Sequence, residues 1–170
     1  MRIEKIRTLD SANLYHDAPV LVMTLDLEEL AGKETHEITG FMDRLLTLLP
    51  GIKQHHCASA ESATLVERTP TTIGFGQITA RVALSLATLA DVPVHYASAR
   101  YGEGPMRCYI VIEFTDAAVM RFLLQTAVEL VAALSRGERP PLQERLAEAR
   151  DLINSAAPER QVIVSAAHKF

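Results

Sequence analysis

The chain has 170 residues, 48% of them hydrophobic, and a formal net charge of −4. That is enough apolar material for one domain with a real core. The acidic balance argues against a dedicated nucleic-acid binder, which carries a basic excess. No apolar run approaches the roughly 18 residues of a membrane span, and with no Trp and 5% aromatic residues a base-stacking platform is disfavoured.

The opening Met1-Arg2-Ile3-Glu4-Lys5 lacks the apolar stretch of a signal peptide. Two cysteines, Cys57 and Cys108, are too few for a disulfide scaffold. Both observations point to reduced thiols in a cytoplasmic protein.

In chain order, Arg2 to Leu9 reads as a first strand, with Ile3 and Ile6 apolar among charges, and Ser11-Ala12-Asn13 as a turn. Val20 to Leu27 is a strongly apolar, β-branched strand. Leu27 to Ala31 fits a single helical turn closed by Gly32. A first helix follows, with Thr39 as N-cap and Phe41, Met42, Leu45, Leu46, Leu48 and Leu49 recurring at spacings of three and four; Pro50-Gly51 ends it. Ala63 to Arg68 alternates as a strand does, and Thr69-Pro70-Thr71-Thr72 is a turn.

A second helix is predicted from about Phe75 to Ala90, with Val82, Ala83, Leu86, Leu89 and Ala90 as its apolar face. Asp91-Val92-Pro93 closes it. Val94 to Arg100 and Arg107 to Phe114 read as two strands joined by Tyr101 to Met106. Asp116 caps a long third helix to about Ser135, which Gly137 stops. Pro140-Pro141 starts a fourth, Leu142 to Ile153, and Gln161 to Phe170 is a short strand or a disordered tail. Strands and helices intersperse without strict βαβ alternation. The expected fold is therefore α+β: a single domain over residues 1–154, a mixed, mostly antiparallel sheet on three to four helices, and an exit linker over 155–170.

Several constellations bear on chemistry. His55-His56-Cys57 contains metal-ligand types, but adjacent side chains converge poorly and no second cluster completes a tetrahedron; local packing is the expected role. Asp26, Glu28 and Glu29 form an acidic run, which is a solvated face unless it binds the cationic groups of a polymer. Arg81, Arg100, Arg107 and Arg121 are candidate partners for carboxylates, which guanidinium groups hold bidentately. No Walker loop or dinucleotide fingerprint occurs, and no Gly-x-Ser-x-Gly nucleophile turn.

A set of ordered motifs carries a family resemblance: Met23-x-Leu25-Asp26-Leu27-Glu28-x-Leu30, Gly40-Phe41-x-x-Arg44-Leu45-Leu46-x-Leu48-Leu49-Pro50, His55-x-Cys57, Val82-Ala83-Leu84-x-Leu86-x-x-Leu89-Ala90 and Val128-x-Leu130-Val131-x-Ala133-Leu134. Asn13 adds to them. Over about residues 1 to 150 the chain resembles the N-terminal domain of cyanophycin synthetases, which build an Asp/Arg storage polymer. The resemblance implies a domain that holds the growing polymer and contributes to homo-oligomer assembly. It also implies ATP-grasp and Mur-ligase-like modules, in cis or in trans, that add Asp to the backbone and Arg to its side chain. ATP and magnesium belong to those modules, which this chain does not contain; no cofactor is expected for the domain itself.

Many members of that family carry His-x-x-Glu-His, a motif that places metal ligands and a carboxylate on one helix face. Here Gln77, Ala80 and Arg81 stand at those positions. An amide, a methyl and a cation do not hold a divalent metal, so the resemblance implies a lost polymer-cutting site, with no catalytic and no metal-binding residues expected. The preferred reading is a non-catalytic polymer-binding domain with Arg81, Arg100, Arg107, Arg121, Glu28 and Glu29 as its candidate contacts, without nucleic-acid or membrane partners. A scaffold that has lost polymer binding, and a metallohydrolase using His55, His56 and His95, are the alternatives.

Overall fold

The structure is a computed structural model and describes residues 1–54 and 73–167. The expected strand Ala63–Arg68, the turn Thr69–Thr72 and the cluster His55-His56-Cys57 lie outside the described residues.

Four strands, β1 (Arg2–Leu9), β2 (Val20–Asp26), β3 (Ala97–Tyr101) and β4 (Arg107–Glu113), form one sheet in the order β1-β2-β4-β3. All three pairings among the described residues are antiparallel, in keeping with the mostly antiparallel sheet expected. The helices are α1 (Phe41–Leu48), α2 (Phe75–Leu89), α3 (Ala117–Ser135) and α4 (Leu142–Ala167). Burial separates the two faces of the sheet. Leu21, Met23 and Leu25 on β2 and Cys108, Ile110 and Ile112 on β4 join the helices in the main core. The alternate residues Val20, Val22 and Val111 form a small cluster on the other face, with Leu9 and Tyr96 against it. The domain is thus α+β, with one sheet face covered by helices.

A β-bulge between Ile3 and Lys5 decides what β1 presents. Strict alternation would put Ile3 with Lys5 and Arg7 on one face. The extra residue, Glu4, shifts the parity, so Ile3 and Ile6 pair opposite the core residues Leu25 and Met23, while Arg2, Lys5 and Arg7 stand opposite Asp26, Thr24 and Val22 on the outer face.

The central element is α2. From Phe75 to Ala87 every residue but Gln77 is buried, between the sheet, α3 and the 3-10 turn Pro50–Gln54. The single apolar face predicted for it is therefore too narrow: burial extends all round and takes in the polar Thr79, Arg81 and Ser85, while Leu89, assigned to that face, is 43% exposed. Phe41 and Phe75 meet edge to face at 5.3 Å and lock α1 onto the start of α2. The expectation that no apolar run approaches a membrane span is corrected at α3: Ala117–Ser135 is long and apolar enough by length and composition, and much of that apolar surface packs against α2 and α4.

Local chemistry explains the boundaries. Asp116 caps α3 by accepting the Ala118 and Val119 N–H groups at 2.9 and 3.1 Å. Helix α1 is not capped by Thr39: its N-cap is Gly40, at φ +69°, with no side-chain hydrogen bond. Strand β3 begins at Ala97 rather than Val94, because the His95 and Tyr96 N–H groups bond the Glu113 side-chain carboxylate (3.0 and 3.2 Å) instead of backbone carbonyls of β4. The predicted tail is also corrected. Helix α4 does not stop at Ile153 but runs to Ala167, through the expected linker, and residues 161–167 are helical rather than a strand or a disordered tail. Its first turns are anchored by Leu142, Leu146 and Ala149, and each further helical residue adds a hydrogen bond without a new nucleation cost.

Candidate charged face and adjoining cavity

Gln77, Ala80 and Arg81 occupy one side of α2 at i, i+3 and i+4. Ala80 is fully buried, Arg81 is 5% exposed, and Gln77 is half-buried. A methyl group and a guanidinium in that setting offer no lone pair to a cation, so the residues present do not fit a divalent metal. No group of three or more His, Cys, Asp or Glu side chains capable of holding a metal occurs among the described residues. His95 is exposed, its N–H bonded to Glu113.

The four candidate arginines do not gather. Arg81 is buried within α2, and Arg121 on α3 is half-buried, with Nη2 3.4 Å from the Thr8 hydroxyl on the core side of β1. Arg100 and Arg107 alone reach the outer face of the sheet, where β4 aligns them through Tyr109 and Asp26.

That face is a charged surface laid out in cross-strand rows. The first row is Arg2–Asp26–Arg107, and the second is Lys5–Thr24–Tyr109–Arg100. In the first row the charges are paired. Arg2 Nη2 donates to Asp26 Oδ2 at 3.0 Å, and Arg107 contacts both Glu4 oxygens, at 3.2 and 3.1 Å. The Glu28 N–H, bonded to Asp26 Oδ1 at 3.0 Å, and the Arg2 guanidinium together hold the Asp26 carboxyl below its ordinary range. Glu28 is itself tied to this edge, 3.9 Å from Arg2 Nε, while Glu29 is exposed nearby.

The second row differs. Lys5, Arg100 and the neighbouring Arg7 are exposed and make no ion pair or side-chain hydrogen bond among the described residues. Three uncommitted cations thus flank Thr24 and the exposed ring of Tyr109. Two strand edges carry them, separated by three strand spacings, or about 14 Å. Lys5, Arg7 and Tyr109 were not identified from sequence. Alternation in β1 was available as a signal, but the bulge and the β2–β4 register that complete the row are long-range features.

At the end of the sheet, around the edge of β3, a cavity of about 400 Å³ is lined by Leu27, Lys33, Glu34, Gly74, Gln77 and Tyr101, with the Gly102 to Pro105 turn as its rim. The Tyr101 oxygen accepts the Gly76 N–H, and burial pushes its pKa up to about 12, so the hydroxyl stays protonated. Close packing here depends on two glycines. A Cβ at Gly74 would collide with the Tyr101 hydroxyl, and one at Gly76 with Cys108 Sγ.

Comparison with known proteins places the sequence in a family. Residues 22–136 match the family described as cyanophycin synthase-like N-terminal domain. The chain is 32% identical over 174 residues to the cyanophycin synthetase of Crocosphaera subtropica, covering 98% of this chain and 20% of the relative. It is 32% identical over 176 residues to that of Trichormus variabilis (99% and 20%), and 30% identical over 174 residues to that of a Synechocystis species (98% and 20%). The chain therefore spans about a fifth of the length of these relatives. It belongs to the cyanophycin synthase-like N-terminal domain family.

Proposed function

We propose that this chain is a non-catalytic binding domain that holds an Asp/Arg polymer on the outer face of its sheet. The observation that carries this reading is the row of uncommitted cations, Lys5 and Arg100 with Arg7, set about a central Tyr109. A polymer of Asp and Arg units presents carboxylates and guanidiniums in alternation. Its carboxylates meet the three cations in charge-assisted hydrogen bonds. Its guanidiniums meet Asp26, Glu28 and Glu29 at the acidic edge and the face of Tyr109. Cutting is not part of the function, since Gln77, Ala80 and Arg81 do not fit a metal. The names of the relatives support the polymer's identity, and this chain spans about a fifth of their length, which leaves room for the ATP-grasp and Mur-ligase-like modules proposed as partners, in cis or in trans; a cytoplasmic location and a homo-oligomeric form belong to the same proposal.

Calorimetric binding to soluble cyanophycin segments at low and high salt, with product analysis of the same mixture, tests the reading. The expected result is binding that weakens with salt and leaves the polymer intact. Lys5→Ala and Arg100→Ala should each weaken it about three- to tenfold, and the two losses should add, since the sites lie more than about 10 Å apart. Salt-independent affinity, or cleavage, overturns it; absence of binding favours a scaffold.

A further inference from the structure

The cavity at the start of α2 lies next to the charged face but uses different residues. Its polar lining is dominated by hydrogen-bond donors. Lys33 brings an ammonium group, Gln77 an amide, and Tyr101 a hydroxyl whose oxygen is already occupied by the Gly76 N–H, leaving its proton to donate. Neither the Lys33 nor the Gln77 side chain has a hydrogen-bond partner among the described residues. The one acid in the lining, Glu34, has its carboxylate 3.2 Å from His36 Nδ1, and its charge also reaches Tyr101, so that Lys33 is the group that balances it. A cavity of about 400 Å³ falls within the usual range for small-molecule sites, about 300–1,000 Å³.

We infer that Lys33, Gln77 and Tyr101 form a carboxylate-binding subsite. This rests on the polymer reading above for its occupant. An Arg joined through its α-amine to an Asp side chain keeps its own carboxylate free, and that group has the charge and size the three donors accept. Gly102 connects the two places. It lines the cavity, and a Cβ there would stand 3.1 Å from the Tyr109 ring on the outer face. A chain bound along the face reaches the cavity by turning around this glycine.

The test is calorimetric titration of the whole chain with three probes: the aspartyl-arginine unit with its arginine carboxylate free, the same unit as carboxamide, and free aspartate. The free acid should bind at least about tenfold tighter than the amide, the usual worth of a charge-assisted pair. Lys33→Ala and Gln77→Leu should each cost about five- to tenfold, with an unchanged melting transition reporting the fold. Free aspartate binding as tightly as the unit supports the subsite but assigns it to an amino acid rather than the polymer. Equal binding of acid and amide overturns the inference, as does full affinity in folded Lys33→Ala and Gln77→Leu. The two readings fail separately. Loss of long-polymer binding with the unit still discriminated removes only the face; retained polymer binding without discrimination removes only the subsite.

Discussion

Arg44 closes the C-terminal end of α3 by donating Nε and Nη2 to the Leu134 carbonyl at 3.3 and 3.0 Å, across 90 residues of sequence. Its remaining arm, Nη1, reaches the Thr39 carbonyl at 3.2 Å. The last carbonyls of a helix have no partner within it, and a cation placed there also opposes the helix dipole. Gly40 makes room for this. It sits at φ +69°, and a Cβ there would come 2.9 Å from Arg44 Nη1. The Gly40-x-x-x-Arg44 spacing, part of the family resemblance, is thus a structural clasp between α1 and α3.

Arg44→Ala should therefore destabilise the chain by about 1–2 kcal/mol, the range for lost charge-assisted hydrogen bonds at a partly exposed site. Gly40→Ala should cost about 1 kcal/mol or more through its left-handed backbone. Urea denaturation measures both. Polymer affinity, read by calorimetry, should not change, because neither residue lies on the charged face.

Gly76 offers a sharper case. At an ordinary interior helix position Gly→Ala gains up to about 1 kcal/mol. Here the new methyl would meet Cys108 Sγ on β4, and overpacking should reverse the sign, with a loss of about 1–3 kcal/mol. Cys108→Ala removes the obstacle, so the double variant should recover part of the loss. A double-mutant cycle by thermal denaturation reads the coupling directly, and strictly additive losses would mean that the two residues do not collide.

What could be read from sequence was mostly what local chemistry decides. Arg2–Leu9 and the Asp116 cap of α3 were legible because strand propensity and capping act within a few residues. The parity of β1 was not. One inserted residue, Glu4, moves Ile3 onto the same face as Ile6 and sends Arg2 to join Lys5 and Arg7, and a bulge leaves no mark in hydrophobic periodicity. The grouping of Arg100 with Lys5 depends on the register of three strand pairs, which is a long-range property. Arg81 was grouped with Arg100 as a candidate carboxylate partner, yet it is 5% exposed because the sheet, α3 and the Pro50–Gln54 turn pack around α2, a long-range arrangement.

Thr35 lies in a 3-10 turn at zero exposure, and its Oγ1 has no hydrogen-bond partner among the described residues. Its N–H is satisfied by the Ile73 carbonyl at 3.0 Å, so only the hydroxyl is orphaned. Desolvating an unpaired hydroxyl costs about 1–3 kcal/mol. Thr35→Val keeps the branched shape and removes that cost, so it should raise stability by about 1 kcal/mol in urea denaturation. A loss of similar size would show that the hydroxyl is in fact bonded in solution.

Tyr101 gives the fold a pH dependence of definite sign. Its pKa stands at about 12 against the ordinary 10.0, chiefly because burial disfavours the phenolate. A group whose pKa is higher folded than unfolded binds its proton more tightly in the native state. Its contribution is complete below pH 10, declines as the unfolded chain begins to lose the proton, and is gone above about pH 12. The ring is 42% exposed, so solvent limits the size of the effect. Tyr101→Phe should flatten the stability profile between pH 10 and 12 relative to the parent chain. Ultraviolet titration should find a late ionisation from Tyr101 in the parent that is absent in the variant. If the parent shows no late ionisation that Tyr101→Phe removes, Tyr101 is not packed against Gly74 and Gly76 in solution, and the cavity beside Gln77 loses one of its three donors.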